Sequence, residues 1–117
     1  MECAHEDTAD GIRIIRLSGR MDIEGNEQVA LRFSALAATG GSAVVVDLSG
    51  VEFLSSLGIS TLVSGAKAVM ARKGILALYG ARPNVLSALQ RTNIPDIIPT
   101  CATLAEARAR ATTPAGL

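Results

Sequence analysis

Ala43-Val44-Val45-Val46-Asp47-Leu48-Ser49-Gly50-Val51-Glu52-Phe53-Leu54-Ser55-Ser56-Leu57-Gly58-Ile59 is the stretch that decides the fold of this 117-residue chain. Its first six residues, apolar but for Asp47, form a run without alternation, the pattern of a central strand covered on both faces. Its end opens a second pattern. Ile59, Leu62, Val63, Ala66 and Met70 recur at i, i+3, i+4, i+7 and i+11, so a helix is expected over 57–72 with Gly74 as its stop. A buried strand feeding a helix implies a crossover connection. Such crossovers force parallel neighbours and place loop chemistry at the C-terminal ends of the strands.

Working outward, 12–17 is rich in β-branched residues between Gly11 and Gly19 and reads as a strand. Its alternation slips at Ile14-Ile15, which implies either a bulge or apolar contacts on both faces. Residues 2–7 are a weaker strand candidate, and Asp10-Gly11 is a turn signal able to close a hairpin. Residues 24–39 read as a helix, with Val29, Phe33, Leu36 and Ala37 on one face and Gly40-Gly41 as the stop. Downstream, 75–79 is a further buried strand, and Pro83 suits the first turn of a helix whose apolar face is Val85, Leu86 and Leu89. Ile97-Ile98, between Pro95 and Pro99, reads as a short edge strand. Thr103-Leu104-Ala105-Glu106 is a capping box opening a last helix that ends at Thr112-Thr113-Pro114. The expected order is β(β)αβαβαβα: an α/β domain with a central mixed sheet of four to five strands and about four helices. One domain over 1–112 is expected, with 113–117 as a disordered tail.

Composition narrows the function classes. Eleven Lys and Arg balance eleven Asp and Glu, so the chain lacks the cationic surplus that phosphate neutralisation needs. Aromatic residues at 3% remove the stacking platforms of single-strand binders. No apolar run approaches the roughly 18–20 residues of a membrane span, and the acidic N-terminus lacks the pattern of a signal peptide. A cytoplasmic protein without nucleic-acid or membrane partners is expected. Cys3 and Cys101 belong to no Cys/His cluster and read as two reduced thiols, and no metal or cofactor is expected. The neutral balance hides an asymmetry: residues 1–30 hold seven acids against three bases, and the rest reverses the sign. Such a division hints at a polar docking surface.

The serine pair carries the functional signal. Ser is a preferred N-cap, so one plain role for Ser55 or Ser56 is to cap the helix. Gly58 in the first turn costs roughly 1 kcal/mol against Ala, which implies close approach of something to the backbone. At 100° per residue, Leu57 falls opposite the apolar face, together with Ser60, Thr61 and Ser64. That face of small residues around a leucine is one a partner could approach, unless Leu57 tucks back into the loop. Asp22 and Asp47, near strand ends, either border this surface or act in turns and caps. An enzyme is not expected. His5 is the only histidine, neither a G-x-S-x-G elbow nor a phosphate-binding G-x-x-x-x-G-K-[ST] loop is present, and Arg82 in the Gly80-Ala81-Arg82-Pro83 turn reads as solvated.

The run from Val44 to Leu48, followed by Gly50 to Ile59, resembles the hallmark of STAS domains of the anti-sigma factor antagonist type. Leu17-Ser18-Gly19-Arg20-Met21-Asp22 is similar to that family's strand-and-turn element. Leu89 to Ile94 through Ile98, with Thr103-Leu104-Ala105-Glu106-Ala107, is similar to its C-terminal pattern. The resemblance spans nearly the whole chain and implies a STAS fold. It also implies that Ser56 is phosphorylated by a cognate anti-sigma factor acting as a GHKL-type serine kinase, and reset by a PP2C-type phosphatase. The family often places Asp before this serine and a small residue after it. Here Ser55 and Leu57 stand there, which makes Ser55 a second candidate phosphosite. Taken with the helical spacing, the implied contact set is Ser55, Ser56, Leu57, Gly58, Ser60, Thr61, Ser64 and Asp22. The alternative is an unphosphorylated STAS scaffold or accessory subunit of a transporter or sensory assembly.

Overall fold

The computed structural model describes residues 1–112. Its elements are β1 (Glu2–Asp7), β2 (Arg13–Met21), α1 (Ile23–Thr39), β3 (Ala43–Leu54), α2 (Ser56–Met70), β4 (Ile75–Tyr79), α3 (Pro83–Arg91), a 3₁₀ turn (Ile94–Asp96), β5 (Thr100–Cys101) and α4 (Leu104–Thr112). The five strands lie in sequence order, β1-β2-β3-β4-β5. β1 pairs antiparallel with β2, and every later pair is parallel. This is the mixed sheet with four helices that the alternating pattern predicts.

The hairpin between β1 and β2 closes where the Thr8 amide donates to the Ile12 carbonyl at 2.9 Å. Gly11, at φ +86°, takes the left-handed conformation that this turn requires. Parallel strands laid down in one direction, joined by crossovers of one hand, put successive helices on one face. Val29 and Phe33 of α1, Leu62 and Val69 of α2, and Val85 and Leu89 of α3 share a core with Ile15, Leu17, Val44, Val46 and Leu48. On the opposite face, Ala107 and Ala111 of α4 cover Ile12, Ile14, Val45 and Ala77. Both faces of the lower sheet are therefore dry, which accounts for the unalternating run at 43–48. The slip at Ile14-Ile15 has the same cause: Ile14 packs under α4 and Ile15 under α1 and α2, with no bulge between them.

Three expectations need correction. The central strand does not stop at Leu48, because β2 continues to Met21 and supplies β3 with a ladder as far as Leu54. Arg16 pairs with Asp47 but Ser18 with Gly50, and Gly19 pairs with Val51 but Arg20 with Phe53. At each step β3 carries one extra residue, so the bulges lie here and keep Val51 and Leu54 facing the core. Second, Ile97-Ile98 is not a strand. The Ile94 carbonyl accepts from both the Ile97 and Ile98 amides at 2.8 Å, winding the segment into a turn that buries Ile98 and leaves Ile97 exposed. Pairing with β4 begins at the Pro99 carbonyl, which accepts from the Leu78 amide, and the edge strand is Thr100–Cys101. Third, α2 is rotated from its apolar periodicity. It buries Gly58, Thr61, Leu62, Gly65, Ala66 and Val69, while Ile59 and Val63 are half-buried and Met70 is exposed. A Cβ on Gly65 would lie 2.5 Å from the Phe33 ring, so the missing side chain is what brings α1 against α2.

The expected tail, 113–117, lies outside the described residues. The capping box is seen in part: Thr103 Oγ1 accepts from the Glu106 amide at 3.2 Å.

Gly25, in the first turn of α1, has the tightest surroundings of any glycine described. A Cβ there would stand 1.9 Å from the Arg20 carbonyl oxygen, which is backbone and cannot swing aside. Gly25→Ala is expected to destabilise the domain by about 1–3 kcal/mol, the range for overpacking a tight site. Urea denaturation with an unchanged m-value would show it. A midpoint equal to the parent's would refute this account of α1 docking.

Candidate functional site

β2 and β3 end side by side, with Met21 opposite Leu54. Each is followed at once by a capping residue and a helix. Asp22 caps α1, its Oδ1 accepting from the Gly25 amide at 2.8 Å. Ser55 caps α2, its Oγ accepting from the Gly58 amide at 3.2 Å. The two starts are tied together through Met21, whose carbonyl accepts from the Ser55 amide at 3.0 Å and from the Ser55 hydroxyl at 2.7 Å. About one turn further on, the Thr61 hydroxyl donates to Asn26 Oδ1 at 2.6 Å. Two helix N-termini, each with a partial positive charge of about half an elementary unit, thus open on the same edge of the sheet.

This geometry separates the two serines. Ser55 is half-buried, and its hydroxyl both donates and accepts. Ser56, the first residue of α2, is exposed, and among the described residues its hydroxyl makes no hydrogen bond. Leu57 is 46% exposed beside it, as the helical spacing predicts, and Ser60 and Ser64 continue the exposed face. Thr61 does not belong to that face. It is 9% exposed and turned toward α1, where Asn26 satisfies its hydroxyl. Gly58 is buried as well. A Cβ there would meet Leu54 Cδ1 at 2.8 Å and Met21 Cγ at 2.9 Å, so the close approach implied by this glycine comes from the protein's own core. Asp22 is half-buried in its capping role.

Several neighbours escaped the sequence reading. Ile23 at the start of α1 is 64% exposed, and Phe53 near the end of β3 is 38% exposed with the Arg20 guanidinium 4.7 Å above its ring. Ile23 had a signal, since it stands out of register with Val29, Phe33 and Ala37 and directly follows a capping Asp. Phe53 had none, because its orientation depends on the β-bulges.

Asp47 lies elsewhere, roughly 20 Å up the strand from Leu54. It shares the α4 side of the sheet with Val45, where its Oδ1 accepts from the Ser49 amide at 2.9 Å and the Ser49 hydroxyl at 2.7 Å. Arg16 approaches it at 4.0 Å and also pairs with Glu6. The acids of the N-terminal third are largely matched: Asp7 with Arg13, Asp10 with Arg108, Asp22 with Arg20. Exposed pairs of this kind are screened by water and salt and contribute little. Cys3 and Cys101 occupy opposite edge strands, about 19 Å apart by strand spacing, far beyond disulfide reach. Burial pushes both thiols up from their ordinary value. Among the described residues no His, Cys, Asp or Glu cluster suits a metal, and no helix is long and apolar enough to cross a membrane.

A five-stranded mixed sheet with four helices in this order is the architecture of a STAS domain. The STAS-domain family model matches residues 6–107, and the chain belongs to that family. It is 30% identical over 93 residues, covering 80% of each protein, to BtrV of Bordetella bronchiseptica, by its name a candidate anti-sigma factor antagonist. Among solved structures it is similar to an anti-sigma factor antagonist from Mycobacterium paratuberculosis, with a TM-score of 0.85 and 25% identity over 96% of this chain and 94% of that one. It is also similar to an anti-sigma-factor antagonist (STAS) domain protein from Planctomyces limnophilus, with a TM-score of 0.81 and 30% identity over 94% and 97%.

Two measurements test these assignments. Ser55→Ala removes a capping hydroxyl and is expected to cost about 1 kcal/mol, whereas Ser56→Ala stays within about 0.5 kcal/mol of the parent. Equal midpoints in urea would contradict the division of roles. Tyr79, opposite Asp47 in the β3–β4 ladder, has its phenol pushed up to about 12, by burial first and the Asp47 carboxylate second. The folded state holds this proton more tightly than the unfolded chain, so the associated stability is intact below about pH 10 and is lost as pH rises toward 12. With one Tyr and no Trp in the chain, phenolate absorbance reports Tyr79 alone. Its midpoint is expected to fall in Asp47→Asn.

Proposed function

We propose that this chain is an anti-sigma factor antagonist working by partner switching, with Ser56 as the residue whose phosphorylation sets its state. The observation that carries the reading is the contrast at the start of α2: Ser55 is bound on both sides, while Ser56 is exposed with its hydroxyl unengaged. A kinase can reach Ser56 without breaking a contact of the fold. Modification of Ser55 would remove its bond to Met21 and disturb its cap on Gly58. The names of the relatives point to the same class, and so does the resemblance of the run from Val44 to Ile59.

The physical mechanism is an asymmetry between fold and complex. Unmodified Ser56 is small and neutral and stands beside the exposed side chain of Leu57, so an apolar partner patch can close over it. A phosphate adds roughly −1.5 to −2 charge and three acceptor oxygens. At the first position of a helix that anion is tolerated or mildly favourable, by roughly 0.3–1 kcal/mol, so the domain stays folded. The partner would have to desolvate the dianion, so the complex is lost. The unphosphorylated form binds the anti-sigma factor, which doubles as a GHKL-type serine kinase and supplies ATP and Mg²⁺. A PP2C-type phosphatase resets the chain in the cytoplasm. The chain itself is a substrate and a binding partner, not an enzyme: its only histidine, His5, sits in β1, two strands away from β3.

The test is capture of the partner from native cells by the wild-type chain, Ser56→Ala and Ser56→Asp. Wild type and Ser56→Ala are expected to retain it and Ser56→Asp to lose it, with thermal midpoints nearly unchanged. Intact-mass analysis of the native protein is expected to show one added phosphoryl group, localised to Ser56. Equal retention by the Ala and Asp variants would sink the switch. Persistent absence of the phosphoryl group would favour an unmodified scaffold.

A further inference from the structure

β3 outruns its neighbour on one side. Its last partner in β4 is Asp47, opposite Tyr79, yet it continues to Leu54 against β2 alone. From Leu48 onward, among the described residues, its other edge has no strand beside it. The first turn of α3 stands there instead. Arg82 Nε donates to the Ser49 carbonyl at 3.0 Å, and Asn84 Nδ2 donates to the Glu52 carbonyl at 2.8 Å.

The two carbonyls chosen are informative. Ser49 falls in the first register slip, between Asp47 and Gly50, and Glu52 in the second, between Val51 and Phe53. A bulge leaves its extra residue out of the ladder, so these are the positions where a backbone acceptor lacks a strand partner. The donors are informative too. Arg82 occupies the N-cap position of α3, where a short oxygen-bearing side chain is favoured, and its side chain makes no capping bond. Its guanidinium is turned to the strand. Asn84, one residue into the helix after Pro83, does the same.

We propose that Arg82 and Asn84 are positioning residues for Ser56. They hold the bulged end of β3 from the α3 side while Met21 holds Ser55 from the β2 side, so that Ser56 and Leu57 are presented at one height and angle. The proposal rests on the reading of Ser56 as the switch, but its first readout requires no partner. Removing the Asn84 donor, in Asn84→Ala or Asn84→Asp, is expected to speed amide hydrogen exchange at residues 53–58 about five- to tenfold, the size set by one typical hydrogen bond. Asn84→Gln keeps a carboxamide donor and is expected to restore protection. Arg82→Ala is expected to act on residues 49–51. Exchange through local opening in β4 and α4 is expected to hold at parental rates, and the denaturation midpoint to fall by no more than the loss of this one bond accounts for. Unchanged exchange at 53–58 in both Asn84→Ala and Asn84→Asp would overturn the proposal, as would a uniform rise across the sheet. In the capture assay, Asn84→Ala is expected to bind the partner several-fold more weakly, with Asn84→Gln rescuing it. Retention of the partner by Ser56→Asp would refute the switch and leave the exchange result standing. Unchanged exchange would refute the bracing and leave the switch standing.

Discussion

One backbone oxygen, the Met21 carbonyl, accepts both the amide and the hydroxyl of Ser55, and the placement of the functional edge follows from it. Those two bonds end the β2–β3 ladder, set the cap of α2, and bring its first turn beside that of α1. The net worth of such bonds is about 1 kcal/mol each, which is modest for a fold. Their leverage is geometric. The Ser55 hydroxyl commits its one proton to Met21 and a lone pair to Gly58, whereas Ser56, the next residue, is exposed with its hydroxyl unengaged among the described residues.

The same economy of contact recurs where the helices meet the sheet. Gly25, Gly58 and Gly65 each stand where a methyl group would strike something: the Arg20 carbonyl, the Met21 and Leu54 side chains, the Phe33 ring. Glycine in a helix costs about 1 kcal/mol against alanine, and two of these three lie in first turns. The cost is offset by burial of Phe33, Leu62 and Met21, each contributing roughly 1.5–3 kcal/mol when removed from water. Close packing of α1 against α2 also aligns their N-termini, so the glycines that serve the core also shape the functional edge.

What was legible in the sequence was what neighbours along the chain determine. The apolar run at 43–48, the serine cap, the exposed Leu57 and Pro83 at a helix start are local patterns, and the structure has each in place. What was not legible depends on a partner distant in sequence. The rotation of α2 follows from Gly65 meeting Phe33, and a periodicity of large apolar residues gives no weight to a glycine. The run of β3 through Ser49-Gly50 requires β2 to extend to Met21, which the apolar run at 43–48 alone does not indicate. Ile97-Ile98 has the composition of a strand, but the residues that pair with β4 begin at Pro99, and the Ile94 carbonyl takes the amides that a strand would have offered. Gly58 sits between these cases: close approach was read correctly, and its source lay inside the molecule.

A chain with no net charge has no strong field of its own, and here the local field is shaped by two helix ends rather than by side chains. Arg20, the cation nearest these ends in sequence, lies against the Phe53 ring and 3.7 Å from Asp22, so it is partly neutralised. An anion placed at Ser56 would therefore meet backbone dipoles first, and these accept it without rearrangement because they are already aligned. On the proposed switch, one modification would change what binds without changing what folds. The helix dipole would favour such a charge by a fraction of the free energy that a closed apolar interface would lose in burying it, and the difference would fall on the partner alone.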